Sequence, residues 1–373
     1  MRLQRSAIVA LALLLAAPAS LAPARDDPER PAPPLALTEP PAPPKSWEGN
    51  DLTELTATSL RGAARAALAD DNIEAAIQFQ HWAAAAEPGE GLYDLACFYA
   101  RAKKLEAALY WLQRAGIEEG VDLEWAAQDA DLAAVRADPR WEKLTPYLDA
   151  CAAFWRKSGT RREVVTLPDG YDGNVPIPVI VGLHGLGSRP EDFAGSEDDQ
   201  RLADSLGVAL VGVSGTDPRG PNSFVWSEDV ARDAAHVAAA LERVSDRVKV
   251  RPGRVVLIGF SQGAQLAVEL AARDPERYAG VIALCPGFRG ESQLGAVEPG
   301  EAHARLSCFI VSGTDESRGN RILAGKDARW LREAKALVVH HVYRGMGHTF
   351  PPGYYDNLSI WVQVILGLSE KSR

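Results

Sequence analysis

The sequence is poor in the features that several protein classes require. No long run of lysine and arginine interrupts its acidic balance, and its 373 residues carry a formal net charge of −10. This composition argues against a nucleic-acid partner. Only four cysteines are present, too few to staple a chain of this length as a disulfide scaffold. We therefore expect Cys97, Cys151, Cys285 and Cys308 to be buried as free thiols.

The apolar run at the N-terminus is also short. Arg2 and Arg5 precede an apolar segment at 7–17, and small residues suited to cleavage follow it. A membrane-spanning helix needs about 20 residues, whereas this pattern is typical of a secretory signal. We expect residues 1–24 to be a cleaved signal and the protein to be exported, periplasmic or secreted, with no stable membrane span after cleavage. The alternative is an uncleaved anchor.

Large apolar residues are scarce between residues 25 and 50, where prolines crowd together. A segment of this composition cannot bury a core, and it is typical of an extended linker. The alternative is a proline-rich ligand motif for another domain.

Residues 51–157, called the helical module below, are rich in alanine and have almost no β-branched runs, which predicts helices. The segment at 72–77 recurs thirty-two residues later at 104–109. The second unit resembles a tetratricopeptide repeat, with its packing positions occupied by Ala96, Tyr99, Ala108, Leu112 and Ala115. We expect Trp125 and Trp141 to fill the core of a closing segment. The module is either a groove for a protein partner or a structural appendage.

The pattern changes after residue 157 to short apolar runs that alternate with helical patterns. Unbroken runs are typical of strands buried on both faces, and they predict strands at 163–167, 179–183, 209–213, 255–258, 280–284, 308–311 and 337–343. Helices are predicted at 198–206, 227–245, 264–274, 327–335 and 354–366. The alternation predicts an α/β domain over 158–373 with a mostly parallel, doubly wound sheet. Chemistry gathers at the carboxyl ends of the strands in such a sheet.

The stretch GFSQG at 259–263 stands between a predicted strand and a predicted helix. This is the context that a G-x-S-x-G nucleophile elbow requires. Glycine two residues to either side of Ser261 removes the clashes that so tight a turn would create, and the helix N-terminus favours developing negative charge. We therefore predict that Ser261 is a nucleophile. The alternative is a simple helix cap.

A serine hydroxyl needs a base, and the base needs a third group to orient it. His348 lies on a glycine-rich loop after the last predicted strand, from which it could reach Ser261. The acid should follow an earlier strand, and Asp315 is the predicted residue, with Glu316 as the alternative.

The developing oxyanion needs backbone donors. The N–H of Gln262 follows the predicted nucleophile, and the N–H of Leu186 lies between two glycines on the loop after the strand at 179–183. We predict that these two groups form the oxyanion hole. His184 precedes this loop, where it fits a supporting hydrogen bond better than a direct chemical role.

Taken together, the motifs GFSQGA, HGLG and GMGHTF resemble those of the α/β-hydrolase superfamily. They are most similar to its phospholipase/carboxylesterase and dienelactone-hydrolase-like branches. The resemblance implies a serine esterase that works through an acyl-enzyme with neither metal nor cofactor. In many members of the superfamily the triad acid stands three residues after a glycine, a position that Glu316 occupies here.

The substrate is less well defined by the sequence. We find no long helical lid in the segment at 287–306, and an open site suits esters of small to medium acyl groups. Trp226 is predicted either to wall the acyl pocket or to pack in the core. The alternative functions are a thioesterase, a lysophospholipase or a peptidase on the same fold, or a non-catalytic scaffold that binds through the helical repeats.

Overall fold

The computed structural model describes residues 29–287 and 292–368. The predicted signal at 1–24 lies outside the described residues. The helices are α1 (Ala57–Ala69), α2 (Ile73–Ala86), α3 (Leu92–Arg101), α4 (Leu105–Glu118), α5 (Leu123–Ala126), α6 (Ala133–Arg136), α7 (Trp141–Ser158), α8 (Glu197–Leu206), α9 (Val230–Arg243), α10 (Gln262–Arg273), α11 (Arg318–Glu333) and α12 (Tyr354–Leu366). No helix in these ranges is long and apolar enough to cross a membrane.

The strands are β1 (Ser46–Trp47), β2 (Asn50–Asp51), β3 (Glu163–Thr166), β4 (Ile177–Leu183), β5 (Ala209–Val213), β6 (Asp217–Pro218), β7 (Phe224–Val225), β8 (Val250–Phe260), β9 (Tyr278–Leu284), β10 (Ser307–Gly313) and β11 (Leu337–Tyr343). Seven of them form one sheet in the order β11-β10-β9-β8-β4-β5-β3. Every neighbouring pair in this sheet is parallel except β3 with β5. The predicted strands are all present, and the predicted α/β class is confirmed.

Both faces of the sheet are covered, as the unbroken apolar runs predict. Val255 and Leu257 of β8 pack in one core with residues of α9, α10 and α11. Val256 and Ile258 point the other way, into a second core with residues of α8 and α12. Successive side chains of a strand alternate between faces, so a strand buried on both sides needs apolar residues throughout. The doubly wound arrangement follows from this pattern.

The helix predicted at 327–335 is longer than the sequence pattern indicates. It begins at Arg318, and the Ser317 side chain caps it by accepting from the Asn320 N–H. The apolar spacing is weak in the first turns because they are charged and largely exposed. A cap of this kind is a sufficient start signal for a helix that lacks apolar periodicity.

The helical module contains two consecutive helix hairpins, α1 with α2 and α3 with α4. The second helices begin at Ile73 and Leu105, which is the spacing of the sequence repeat. The residues predicted to pack are buried, with Ala96, Ala108, Leu112 and Ala115 fully enclosed. The predicted free, buried cysteines are likewise confirmed.

Trp125 is not in the core, and that prediction was wrong. Its side chain is 54% exposed, while the neighbouring Ala126 is fully buried. Helix α5 is a single turn, so it can turn only one narrow face inward, and the small alanine occupies that face. Trp141, in contrast, packs against the module core as expected.

Residues 29–45 of the proline-rich segment form neither helix nor strand, but they are not a free linker. Leu35 and Leu37 pack against the core of the helical module. The Gln113 side chain accepts from the Leu35 N–H at 2.9 Å and donates to the Leu35 carbonyl at 3.1 Å. Gln78 and Trp82 both donate to the Pro44 carbonyl. A few leucines and backbone hydrogen bonds hold a segment too poor in apolar residues to fold by itself.

The helical module is docked closely on the α/β domain. A Cβ placed on Gly220 would lie 1.7 Å from the Glu119 carbonyl oxygen, and one on Gly120 would lie 2.0 Å from the Arg219 carbonyl oxygen. Next to this contact Arg219 pairs with Asp122 at 2.6 Å. The two backbones approach so closely that only glycine fits between them. The segment joining β6 and β7 therefore forms a tight joint with the module.

This joint can be tested by adding one methyl group to it. We expect Gly220→Ala to destabilise the protein by about 1–3 kcal/mol, because the new Cβ meets backbone atoms that cannot rotate away. Gly295→Ala is the matched control, since a Cβ there would meet nothing within 4 Å. Chemical unfolding of both variants is the measurement, and equal midpoints would contradict the close docking.

Candidate active site

Ser261 lies on a sharp turn between β8 and α10. Its backbone has φ 54° and ψ −118°, a strained conformation for a residue with a side chain. A Cβ on Gly259 would lie 2.2 Å from the Gly263 carbonyl oxygen, and one on Gly263 would lie 2.0 Å from the Leu183 carbonyl oxygen. The flanking glycines are thus required by the backbone packing of the turn, as the sequence predicts.

His348 reaches this serine from the loop after β11. Its Nε2 lies 2.9 Å from the Ser261 Oγ, so the hydroxyl can donate to the ring nitrogen. The imidazole also packs beside the Phe260 ring, with 4.9 Å between the ring centroids. The structure brings together the predicted nucleophile and the predicted base.

Glu316 contacts the other nitrogen of the imidazole. Its Oε2 lies 2.5 Å from His348 Nδ1, and its side chain is only 2% exposed. Burial alone would raise the pKa of the Glu316 carboxyl, but hydrogen bonds from His348, the Ser317 N–H and Asn320 hold that pKa below its usual value. An ionised carboxylate at this position keeps the proton on Nδ1 and leaves Nε2 free to accept from serine.

Asp315, the residue predicted as the acid, lies elsewhere. Its side chain is exposed and accepts from the Thr314 hydroxyl at 2.9 Å. The Asp315 N–H donates to the Met346 carbonyl at 3.0 Å, which fixes the backbone so that the next side chain, Glu316, turns inward. The useful signal in the sequence was the distance from Gly313, which favours Glu316.

One predicted oxyanion donor is on a loop that approaches the serine, and the other follows the serine directly in the chain. A Cβ on Gly185 would be 3.5 Å from the Ser261 Cβ, so the loop that carries Leu186 approaches the nucleophile directly. Among the described residues, neither the Leu186 N–H nor the Gln262 N–H donates to a protein acceptor. Both donors are available to a substrate oxygen.

His184 supports this loop from below. It is fully buried, with its Nε2 accepting from the Gly215 N–H at 2.8 Å and its Nδ1 lying 2.7 Å from the Gly185 carbonyl. Burial lowers the pKa of His184 to about 4. The ring is therefore neutral at ordinary pH and ties the oxyanion loop to the neighbouring strand end, as the sequence suggests.

Trp226 packs in the core rather than walling the site. Only 2% of it is exposed, and its indole Nε1 donates to the His184 carbonyl at 2.9 Å. The Gln262 side chain accepts from the Trp226 N–H at 2.9 Å. The predicted substrate-binding role of Trp226 is thus corrected, because the bond from its indole N–H holds the ring underneath the oxyanion loop.

One group of possible metal ligands in the described part of the chain coincides with this site: Cys285, Glu316 and His348. Burial and the nearby Glu316 raise the pKa of the Cys285 thiol to about 12, so the sulfur carries its proton in the absence of a bound cation. The Cys285 thiol instead donates to the Thr349 carbonyl at 3.4 Å. These contacts fit a support for the histidine loop better than a metal centre.

The cleft above Ser261 and His348 has a volume of about 490 Å³. The α/β domain contributes Leu186, Val225 and Phe260 to its lining. The opposite part comes from the helical module, including Tyr93 and Trp125. This second set of residues could not be predicted from the sequence, because no local motif indicates which face of a helical module contacts a neighbouring domain.

A family model and several known proteins are similar to this chain. A protein-family model, Esterase, described as "Putative esterase", matches residues 156–365, more than half of the chain. The "Putative esterase NocK" of Nocardia uniformis is 31% identical over 121 residues, which cover 32% of this chain and 33% of that protein. "Feruloyl esterase C" of Emericella nidulans is 28% identical over 128 residues, 34% of this chain and 47% of that protein.

The chain thus spans between a third and a half of the curated relatives it matches. Among solved structures, a carboxylesterase of Bacillus cereus aligns with a TM-score of 0.43 at 19% identity, over 57% of this chain and 99% of that one. A phospholipase/carboxylesterase of Dyadobacter fermentans aligns with a TM-score of 0.42 at 19% identity, over 55% and 97%. On the match of the family model to residues 156–365, this chain belongs to the Esterase family.

Proposed function

We propose that the protein is a serine hydrolase that cleaves carboxylic esters through Ser261, His348 and Glu316. The observation that carries the proposal is the continuous hydrogen-bond chain from the Ser261 hydroxyl through the His348 ring to a buried carboxylate. Membership of the Esterase family supports the reaction class. The strained turn and the available backbone donors supply the remaining parts of a nucleophilic acyl-transfer site.

Acylation begins when the Ser261 Oγ attacks the ester carbonyl carbon and His348 Nε2 takes the hydroxyl proton. The carbonyl oxygen becomes an oxyanion, which the Leu186 and Gln262 N–H groups stabilise. Glu316 stabilises the imidazolium that forms. The imidazolium then gives its proton to the leaving alkoxide oxygen as the carbon–oxygen bond breaks, and the acyl group remains on Ser261.

Deacylation repeats these steps with water. His348 Nε2 accepts a proton from a water molecule, whose oxygen attacks the acyl-enzyme carbonyl. Collapse of the second tetrahedral intermediate breaks the bond to Ser261 Oγ, which regains a proton from His348. The acid is released, and the enzyme returns to its starting state without a net change in its own protonation.

We extend the proposal to esters of small to medium acyl groups, which the cleft could hold. Its apolar lining by Leu186, Val225 and Phe260 favours an uncharged acyl or alcohol part. Because one of the relatives is named feruloyl esterase C, an aromatic acid ester belongs in the first substrate panel beside simple alkanoates.

The assignment of Ser261 as the nucleophile is tested by removing its hydroxyl oxygen. We expect Ser261→Ala to lower kcat for nitrophenyl acetate by at least about 10⁴-fold, since the backbone donors alone cannot replace covalent catalysis. Ser245→Ala, a serine that does not line this cleft, is the control and should retain full activity. Retained turnover in Ser261→Ala would contradict the mechanism.

The identity of the acid is tested by a matched pair of neutral replacements. Glu316→Gln should lower kcat by about 10³- to 10⁴-fold, because the amide cannot hold the reactive tautomer of His348. Asp315→Asn should stay within about twofold of the wild type, because the Asp315 carboxylate faces solvent. Steady-state kinetics on the same ester decide between them, and the reverse order of losses would assign the role to Asp315.

A further inference from the structure

An exposed tryptophan of the helical module faces the cleft that contains the catalytic residues. Trp125 is 54% exposed, although burial of so large an apolar ring would be favourable. It lines the same cavity as Ser261 and His348. A large aromatic ring left accessible beside reactive groups is typical of a ligand-binding surface.

The backbone around Trp125 is held against the α/β domain. The Asp122 side chain accepts from the Trp125 N–H at 3.0 Å and also pairs with Arg219 at 2.6 Å. Gly120, two residues before Asp122 in the chain, approaches the Arg219 carbonyl closely. The one-turn helix that carries the ring is therefore fixed relative to the active site, which an accurate binding wall requires.

Leu186 provides the surface on the other domain. Its side chain is 51% exposed, and its backbone N–H is one of the two predicted oxyanion donors. Trp125 and Leu186 both line the cavity that contains Ser261, and both line an adjacent groove that contains Gln262. A substrate whose carbonyl oxygen reaches these donors would lie in the cavity that both exposed side chains line.

A second contact couples the module to the oxyanion loop. Arg189 follows that loop in the chain and forms ion pairs with Glu87 and Glu90 of the helical module. All three side chains are mostly buried, since the exposed fraction is 26%, 27% and 20%. The module thus holds the loop as well as lining the cleft, so it belongs to the active site.

From this arrangement we propose that Trp125 is a specificity-determining residue, and that the helical module selects esters carrying an aromatic or similarly planar apolar group. The ring offers a flat face on which such a group stacks while the ester lies at Ser261. The inference rests on the proposed esterase function for its kinetic test. The module then acts as a wall of the substrate site, in addition to any contact it makes with a protein partner.

The test compares two alkyl esters, ethyl acetate and ethyl hexanoate, with two phenyl esters, ethyl 3-phenylpropanoate and phenethyl acetate. Hydrolysis is followed by the release of acid. In Trp125→Ala we expect KM to rise about tenfold for at least one phenyl ester, with kcat nearly unchanged. The values for ethyl acetate should stay within about twofold of wild type. Trp125→Phe should recover most of the lost affinity.

Leu55→Ala is the matched control, because Leu55 is an exposed apolar residue of the same module, at 42%, that does not line the cleft. This variant should leave kcat and KM unchanged for all four esters. Equal losses for every ester in Trp125→Ala, or no loss for either phenyl ester, would overturn the proposal. Unfolding midpoints of the variants show whether any uniform loss comes from misfolding.

A binding measurement separates this proposal from the proposed reaction. Ser261→Ala and the double variant Ser261→Ala/Trp125→Ala are titrated calorimetrically with the two phenyl esters. Tighter binding by Ser261→Ala than by the double variant supports the role of Trp125 in binding the phenyl group. This holds even if the wild type hydrolyses none of the four esters, a result that would contradict only the esterase assignment. Equal binding by the two variants would overturn the proposed role of Trp125. The esterase assignment would then still be decided by the kinetic measurements.

Discussion

The site depends on the close backbone packing around Ser261. Gly263 lets the turn press against the end of β4, and Gly259 lets the turn fold back on Gly263; the serine between them holds a positive φ. That packing fixes the hydroxyl at the start of α10 and brings it beside the oxyanion loop. The same sheet positions His348 and Glu316, because they follow β11 and β10, whose carboxyl ends lie at the same edge of the sheet.

A second close approach, between Gly120 and the segment that joins β6 and β7, gives the molecule its other functional feature. It sets the helical module over the carboxyl edge of the sheet instead of leaving it as a separate repeat array. The two hairpins of the module leave much surface without a neighbouring hairpin to cover it, and docking covers part of that surface. The proline-rich segment at 29–45 packs on the module and adds further contacts.

Local sequence patterns were sufficient for the strands, for the tight turn at Ser261, for the position of His348 on the loop after β11 and for the free cysteines. They were insufficient where tertiary contacts decide. Glu316 and Asp315 are adjacent, and the contact of Glu316 with His348, together with the bond between the Asp315 N–H and the Met346 carbonyl, shows that Glu316 turns inward. Trp125 was expected in the core but lies at the cleft, because the single turn of α5 directs Ala126 inward. Trp226 is in the core, which was one of the two positions expected for it.

The central claim is that Ser261 is the nucleophile of an acyl-transfer site. Its most direct test is covalent labelling with a fluorophosphonate, followed by peptide mass spectrometry and parallel assay of ester hydrolysis. The account predicts one phosphonyl adduct per chain, located on Ser261, with activity lost in proportion to the labelled fraction. Full labelling elsewhere, or hydrolysis that survives complete modification of Ser261, would contradict it.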